Sequence, residues 1–384
     1  MKNTLTTGAA LLLTTTAAFS AGIDRSGNGY GILFEDGNRV ELSFSSVTPD
    51  ISGDYPAALG GGSTNNMAES YISAGVAFKY QINEDFDVAV YLNQPYGANA
   101  LYTGGAYTGL AADWSSTQAA AVVKYQAAPG VSVYGGLRSV TSKADIAIPD
   151  ALIRGGLAAS GTAQGVALAT GAPAGTLGYT ATTESDSQIG YILGVAYERP
   201  EIALRVGLTY ESGFTHAFNT TELIAAVPTV SGDSVTDIEI PDAITLDFQT
   251  GIAADTLLFG SIRYAEWSVW EVRPQGYEAL TGDRVTGLDN DTTTYRVGVG
   301  RRINEDLSVF ARVTYEEGFG DVASRLSPTN GSTAIGIGGS YTYEGVEFTG
   351  GLEYVTFGDA TDASGTEFAD NSALGFGLTV GYSF

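Results

Sequence analysis

Three arginines occupy similar positions in successive segments of the C-terminal half of the chain: Arg263, Arg296 and Arg312. A guanidinium group can hold a carboxylate through two parallel hydrogen bonds, and aromatic rings beside it can hold an apolar chain. The same predicted face also carries Phe259, Phe310 and Trp267. These six side chains are therefore a candidate ligand site. Alternatively, the arginines pair with carboxylates on the same face and only fill the interior: Asp247, Glu316, Glu347 and Glu353.

The residue types that are missing exclude several kinds of chemistry. The 384-residue chain has no cysteine and one histidine, His216, which excludes disulfides, thiolate sites and most zinc chemistry. A Ser–His arrangement would have to be built around His216, and no flanking pattern supports one. We therefore expect no enzyme activity, no metal and no cofactor. The formal net charge of -25 also argues against nucleic acid as a partner.

The first twenty residues have the pattern of a secretory signal peptide. Lys2 gives a basic start, residues 9–13 are apolar, and Ala18-Phe19-Ser20 supplies the small residues that precede cleavage before Ala21. An ordinary buried N-terminal helix is the alternative interpretation. No later stretch approaches the roughly 18 apolar residues of a spanning helix. Any membrane span must therefore be made of strands.

The rest of the chain alternates between apolar and polar residues with a period of two, which predicts strands. At the C-terminus, Leu374, Phe376 and Leu378 share one face, while Gly375 and Gly377 share the other. Alternation alone fits both a soluble β-sandwich and a membrane barrel. About fourteen strands are predicted, near residues 39–48, 68–81, 86–95, 113–126, 131–143, 184–198, 201–215, 242–253, 256–267, 291–302, 306–316, 332–343, 346–357 and 371–384.

The connections between these strands favour the membrane barrel. Every second connection is a tight turn, such as Asn83-Glu84-Asp85 or Ala254-Asp255, and the connections between them are long. Outer-membrane barrels have this arrangement, with short periplasmic turns and long outer loops. We therefore predict an all-β protein in the bacterial outer membrane, with residues 39–384 forming a transmembrane antiparallel β-barrel. Tyrosines at the strand ends would form an interfacial girdle: Tyr80, Tyr125, Tyr197, Tyr315 and Tyr343.

Three features predict partners of such a barrel. The terminal Phe384, preceded by Tyr382, looks like the C-terminal signal that the barrel-assembly machinery reads. The wall would contact outer-membrane lipid, and we expect a monomer. The acidic loop 359–370 could hold divalent cations that bridge lipopolysaccharide, or it is simply a solvated loop.

The long outer connection is unusually apolar between residues 151 and 180. An outer loop normally has to be polar, so this stretch could line a groove for a lipid-like molecule arriving from outside. A flexible loop of low complexity is the alternative. The candidate groove residues are Leu152, Ile153, Leu157, Val166, Leu168 and Leu177.

Residues 21–38, before the first strand, are too rich in glycine for a strand, yet include Ile32, Leu33 and Phe34. A plug folded into the lumen would bury these three side chains, whereas a frayed terminus would leave them in water. We predict the plug. Pro95 and Gly97 end the third strand early, because proline removes a ladder donor and glycine loosens the wall. They indicate either a local opening toward the bilayer or an ordinary turn.

Five stretches, in order along the chain, are similar to one known family: residues 21–27, residues 33–38, Gln94-Pro95-Tyr96-Gly97, Pro241-Asp242-Ala243-Ile244 and residues 247–268. They resemble the FadL-type long-chain fatty acid transporters, and the first two look like the start of the mature family members. The resemblance implies a fourteen-stranded barrel with an N-terminal hatch, outer loops that bind ligand first, and lateral release at a kinked third strand. The family's Asn-Pro-Ala hatch signature is missing from residues 21–38.

These observations together predict passive, hatch-gated uptake of long-chain fatty acids or similar hydrophobic molecules. Two other channels remain open as alternatives. A general diffusion porin would have an open lumen, which the apolar outer connection and the hatch segment disfavour. An uptake channel for aromatic hydrocarbons would need the same apolar path, and only the arginines favour a carboxylate.

Overall fold

The computed structural model describes residues 23–25, 29–320 and 322–384, so the predicted signal peptide lies outside the described residues. Alternating segments form strands because a strand turns successive side chains to opposite faces. The strands are β1 (Arg39–Asp50), β2 (Tyr71–Gln81), β3 (Phe86–Asn93), β4 (Gly97–Leu101), β5 (Ala111–Ala128), β6 (Val131–Ile148), β7 (Tyr179–Thr183), β8 (Asp186–Arg199), β9 (Leu204–Glu211), β10 (Phe214–Ile224), β11 (Gly232–Ile240), β12 (Ala243–Ala253), β13 (Thr256–Ala265), β14 (Glu271–Val272), β15 (Thr286–Gly287), β16 (Thr292–Arg302), β17 (Leu307–Glu316), β18 (Ser332–Tyr343), β19 (Val346–Phe357), β20 (Ala360–Thr361), β21 (Glu367–Phe368) and β22 (Ser372–Ser383).

Fourteen wall strands close into one antiparallel barrel, which confirms the predicted fold. β1 pairs with β2 on one side and with β22 on the other, in register from Arg39↔Ser383 to Asp50↔Ser372. Closure is required because the bilayer core has no water to satisfy an open strand edge. Four wall strands consist of two segments each: β3 with β4, β7 with β8, β9 with β10, and β11 with β12.

The seventh and eighth wall strands are longer than the sequence predicted. We expected the seventh to end near residue 215 and the eighth to begin near 242, but both continue outward as the hairpin β10–β11. Its register runs from Phe214↔Ile240 to Glu222↔Gly232. Gly213 and Pro241 interrupt the two strands without ending them, because side chains on either side of the interruption keep alternating between buried and exposed.

The outer connections contain structure of their own. Among the residues that the structure describes, three α-helices occur there: α1 (Asp150–Ala159), α2 (Ala163–Gly171) and α3 (Gln275–Thr281). Single 3-10 turns are Gly31–Phe34, Ala57–Leu59, Gly105–Tyr107, Pro200–Ile202, Pro228–Val230 and Trp267–Val269. Within the described part of the chain, no helix has the length and apolar character needed to cross a membrane.

The outward face of the wall is apolar. Ile72 and Leu137, for example, are 62% and 61% exposed. In water such a surface would be unfavourable, whereas in a bilayer it contacts acyl chains. The five predicted girdle tyrosines are all exposed on the outer surface of the barrel: Tyr80, Tyr125, Tyr197, Tyr315 and Tyr343. Phe384 is exposed as well and stacks on Tyr382.

The inside of the barrel contains three large apolar clusters along its axis. The outer cluster lies among the loops and includes Tyr102, Tyr107 and Leu177. The middle cluster contains Ile23, Tyr96, Trp114, Phe218, Trp267 and Trp270. The lower cluster, toward the short turns, contains Tyr30, Ile32, Leu33, Tyr91, Val122 and Tyr134.

Candidate functional site

An open pocket of about 850 Å³, the outer pocket, lies among the outer loops beside α1 and α3. Leu152, Ile153 and Leu157 of α1 line it. Ile153 and Leu157 lie one helical turn apart and therefore share a face. The other three predicted groove residues do not line the outer pocket. Leu168 and Leu177 pack into the outer cluster, and Val166 is 41% exposed.

The segment between β13 and β16 connects this pocket to the middle of the lumen. Its residues Trp267 and Trp270 are almost fully buried and belong to the middle cluster, together with Trp114 from the wall. Val285 of the same segment lines the outer pocket and packs against both the outer and the middle cluster. Apolar contacts are therefore continuous from the outer loops to the centre of the barrel.

A window interrupts the wall between the second and third wall strands. Below it, Val76 of β2 pairs with Leu92 of β3, and above it Ala68 bridges to Ala100 of β4. Between these rungs, residues 70–75 and 93–98 do not pair with each other as strands. Pro95 lies in the interruption, where its missing N–H prevents a continuous ladder.

The N-terminal segment, residues 23–25 and 29–38, covers this window from inside. The Gly97 N–H donates to the Ile23 carbonyl and the Arg25 N–H to the Pro95 carbonyl, each at 2.7 Å. The Arg25 guanidinium lies 4.1 Å from the centroid of the Tyr71 ring. A Cβ at Gly97 would meet the Arg25 guanidinium end, so a larger residue here would make that side chain shift. A cavity of about 110 Å³ lies beside Arg25 and Tyr71.

Two buried lysines hold the other end of the N-terminal segment. The Lys124 Nζ donates to the Leu33 carbonyl at 2.6 Å, and the Lys79 Nζ donates to the carbonyls of Glu35 and Gly37 at 2.5 and 3.1 Å. Asp87 pairs with both ammonium groups, at 3.1 Å from Lys79 and 2.9 Å from Lys124. Charge-assisted hydrogen bonds therefore fix the backbone of the segment near the short turns.

The predicted plug residues lie inside the barrel. Leu33 and Ile32 are buried in the lower cluster, and Phe34 lies between two cations. The Lys124 Nζ is 5.1 Å and the Arg205 guanidinium 4.9 Å from the centroid of its ring. Burial raises the pKa of Glu35 to about 7, although Arg39 opposes the shift from 3.9 Å away.

The three predicted arginines do lie on the lumenal face, but two of them are occupied. Arg263 bonds to Glu211 at 2.9 Å and to Asp24 of the N-terminal segment at 3.4 Å. Arg312 pairs with Glu353 at 3.1 Å. Arg296 donates to the Thr314 hydroxyl at 3.3 Å and makes no ion pair with any described residue. Their heights differ: each arginine lies two residues nearer the short turns than the one before, as the pairings Ser261↔Arg296 and Gly298↔Arg312 show.

The three predicted aromatic residues belong to two different places. Phe259 and Phe310 pack edge to face at 6.4 Å in a small cluster with Ala203 and Leu257, close to the short turns. Trp267 lies in the middle cluster, where its ring is 6.2 Å from that of Tyr96. The six residues therefore do not form one pocket, because the strand register separates them along the barrel axis.

In the acidic loop 359–370, the Asp362 carboxylate bonds to other outer-loop residues of the protein itself. The Tyr107 hydroxyl donates to it at 2.6 Å, and the Arg325 guanidinium lies at 3.5 Å. This carboxylate is buried, so it stabilises the outer loops instead of facing lipopolysaccharide. The loop nevertheless has exposed acidic residues, among them Glu367 and Asp370.

A family model described as "Outer membrane protein transport protein (OMPP1/FadL/TodX)" matches residues 6–383. The chain belongs to this family. It is therefore an outer-membrane transport protein for hydrophobic compounds, and the family is one of channels rather than enzymes. A comparison with curated protein sequences found no significant match.

Solved structures of FadL-family channels share the fold. A Pseudomonas aeruginosa FadL homologue is 12% identical and superposes with a TM-score of 0.72 over 92% of each chain. The Pseudomonas putida toluene transporter TodX is 14% identical, with a TM-score of 0.63 over 94% of this chain and 96% of its own. The Ralstonia pickettii toluene transporter TbuX is 14% identical, with a TM-score of 0.62 over the whole of both chains.

Several residues of the site were not among those predicted from the amino-acid sequence. Lys79 and Lys124 give a signal that could have been used, since each is a charge on the lumenal face near a predicted tight turn. Arg25 was noted only as part of the family resemblance. The contact between Trp114 and Trp270 has no sequence signal. Trp114 lies on a strand and Trp270 on a loop that enters the lumen, so no local pattern relates them.

Proposed function

We propose that the protein takes up long-chain fatty acids or similar small hydrophobic molecules without an energy source. The molecule binds in the outer pocket, moves along the apolar contacts to the middle cluster, and leaves sideways through the window into the bilayer. The observation that carries the proposal is that the N-terminal segment occupies the window through its pairing with Pro95 and Gly97. Movement of that one segment would then open the lumen and the exit together.

The polar groups of the lumen narrow the possible ligands. Arg263 and Arg312 already neutralise carboxylates, so of the three predicted arginines Arg296 is the one left to hold a fatty acid headgroup. Uptake of aromatic hydrocarbons is the second candidate. It is favoured by the three tryptophans of the middle cluster, and TodX and TbuX are both toluene transporters.

A general diffusion porin fits the interior less well. Porins keep a water-filled lumen, whereas three apolar clusters and the N-terminal segment occupy the lumen here. We further propose that the protein works as a monomer, that its exposed Phe384 is recognised by the barrel-assembly machinery, and that residues 1–20 are removed on export.

A disulfide across the lower edge of the window tests the lateral exit. A Cβ added at Gly75 would lie 3.5 Å from the Asn93 Cβ, within the usual range for a disulfide. Ser43→Ala removes the hydroxyl that would otherwise crowd the new side chain. In cells lacking their own transporter, oxidised Gly75→Cys/Asn93→Cys should take up little oleate, and reduction should restore uptake. The chain has no native cysteine to interfere.

A matched pair lies lower on the same two strands. Phe78 and Val90 are register partners that face the membrane on rungs that are already paired. Phe78→Cys/Val90→Cys, with the same Ser43→Ala change, should therefore transport normally in either redox state. Equal uptake by oxidised and reduced Gly75→Cys/Asn93→Cys would rule out exit through this window.

A further inference from the structure

The middle cluster and the adjoining His216 contain four buried nitrogen atoms that have no hydrogen-bond partner among the described residues. They are the indole N–H groups of Trp114, Trp267 and Trp270 and the Nε2 of His216. All four side chains are more than nine-tenths buried. Leaving a buried polar group unpaired costs free energy, so four such groups in one region indicate a place where another molecule supplies the partners.

Ring contacts join Trp114, His216 and Trp270, and Trp267 belongs to the same cluster, where its ring contacts Tyr96. The Trp114 ring is 6.1 Å from His216, 6.3 Å from Trp270 and 5.4 Å from Phe218. His216 and Phe218 are themselves 4.9 Å apart. Strands on the wall and the segment after β13 therefore converge to surround this region with aromatic faces and edges.

The hydrogen-bonding roles of the four nitrogens are fixed by their chemistry. An indole nitrogen only donates. The His216 Nδ1 lies 2.8 Å from the Asp186 carboxylate, which can only accept, so the Nδ1–H donates to it. In the neutral ring the Nε2 is then an acceptor. The region offers one acceptor and three donors inside an apolar lining.

This region lies on the proposed route. Val285 connects it to the outer pocket, and Ile23 and Tyr96 belong to the same cluster, next to the window. A molecule that follows the proposed route from the outer pocket to the window therefore passes these rings.

We propose that the Trp–His region, defined by Trp114, His216, Phe218, Trp267 and Trp270, selects neutral aromatic ligands that carry a hydroxyl group, that is, phenols. A phenolic hydroxyl can donate to the His216 Nε2 and accept from an indole N–H, whereas a hydrocarbon leaves all four nitrogens unpaired. Within this region a carboxylate would lack a free cation, because the nearby Arg138 is already bonded to Glu211. The inference rests on the proposed uptake function, since it concerns a site on that route.

Tryptophan fluorescence measures binding at this region specifically, because the chain has three tryptophans and all belong to the middle cluster. Detergent-purified protein is titrated with p-cresol and with p-xylene, which replaces the hydroxyl by a methyl group of similar size. We expect p-cresol to bind about tenfold more tightly, the effect of one satisfied hydrogen bond. Comparable affinity for the two compounds would overturn the proposal.

His216→Phe keeps a ring at this position but removes the acceptor. It should weaken p-cresol binding about tenfold and leave p-xylene binding unchanged. Trp270→Phe, which removes one donor, gives a second variant in case His216→Phe fails to fold, and heat-modifiable electrophoresis checks folding of both. Phe259→Leu, in a separate cluster, should change neither affinity.

The outcomes separate this inference from the transport proposal. Unchanged p-cresol affinity in folded His216→Phe and Trp270→Phe would overturn the phenol site, even if the disulfide at the window blocks oleate uptake. Selective p-cresol binding that depends on His216 would support the site, even if the window disulfide has no effect on uptake.

Discussion

The two ends of the lumen both contain apolar clusters, but only the end toward the short turns holds the N-terminal segment with buried charges. Toward the short turns, Lys79, Lys124 and Asp87 form a buried charged network that binds backbone carbonyls of the N-terminal segment. Toward the outer loops, the outer and middle clusters present aliphatic and aromatic side chains, and the charged residues that line the outer pocket make no ion pair with the described residues of the N-terminal segment. Both ends are buried, but only the charged end holds its neighbours through directional hydrogen bonds.

This difference suggests that the charged end holds the N-terminal segment in place, whereas the apolar end binds the incoming ligand. Charge-assisted hydrogen bonds need particular atoms at particular distances, so the charged end keeps the segment in one position. Apolar contacts are non-directional and depend on buried area, so the outer end can exchange side-chain contacts for a hydrophobic ligand at little cost. The comparison implies that changes at the charged end should open the barrel, whereas changes at the apolar end should weaken ligand entry.

The largest expected effect comes from removing the charged anchors. Lys79→Met/Lys124→Met/Asp87→Asn removes three charge-assisted hydrogen bonds to the segment, each contributing about 1.5–3 kcal/mol, and leaves no unpaired charge behind. We expect the segment to leave the lumen and the ion conductance in planar bilayers to rise strongly.

Lys143→Met is the matched control. Lys143 also pairs with an aspartate, Asp145, at 2.9 Å, but both side chains are exposed, so the pair should contribute little. Its conductance should equal that of the wild type. If the triple variant conducts no more than Lys143→Met, the lysines do not hold the segment.

A smaller effect is expected at the apolar end. Leu152→Asp places a charge on the lining of the outer pocket and removes apolar surface worth about 1.5 kcal/mol, so the concentration for half-maximal oleate uptake should rise roughly tenfold. The barrel should stay closed to ions. Val166→Asp, in the same connection but outside the pocket, should leave uptake unchanged. The same loss of uptake in both variants would show that the pocket has no special role.

The fold was largely predictable from the sequence because membrane strands obey a period of two. Each wall strand places apolar residues in lipid, and the short turns are marked by local residues such as Asn83 and Gly345. The prediction was wrong at the β10–β11 hairpin, which extends the seventh and eighth wall strands outward. Gly213 and Pro241 are residue types that commonly end strands, and nothing local in the sequence indicates that a strand resumes beyond them.

The site was less predictable because it depends on which segments enter the lumen. Strand faces correctly turn Arg263 and Arg312 inward, but pairing with Glu211 and Glu353 depends on register across several strands. Trp267 joins the middle cluster because the segment after β13 folds back into the barrel. Such long-range contacts have no local sequence pattern.

The smallest expected effect is a pH dependence of segment docking, which comes from Glu35 at the charged end. Burial raises the pKa of Glu35 from 4.5 to about 7, while Arg39 and Arg205 lower it and Glu41 and Glu347 raise it further. The docked segment therefore binds a proton more tightly than the released one. This contribution to docking is fully present below about pH 4.5 and is lost as the pH rises through about 7. Ion leak should therefore increase between about pH 4.5 and about pH 7, by at most about tenfold per pH unit, and level off above that range.

Glu35→Gln should remove this response, because the amide stays neutral and keeps a similar shape. Its leak should remain at the low, acidic level of the wild type across the same pH range. Asp36→Asn, at the exposed neighbouring position, should keep the wild-type response. If Glu35→Gln still leaks more at high pH, another group controls docking, and the charged end holds the segment through the lysines alone.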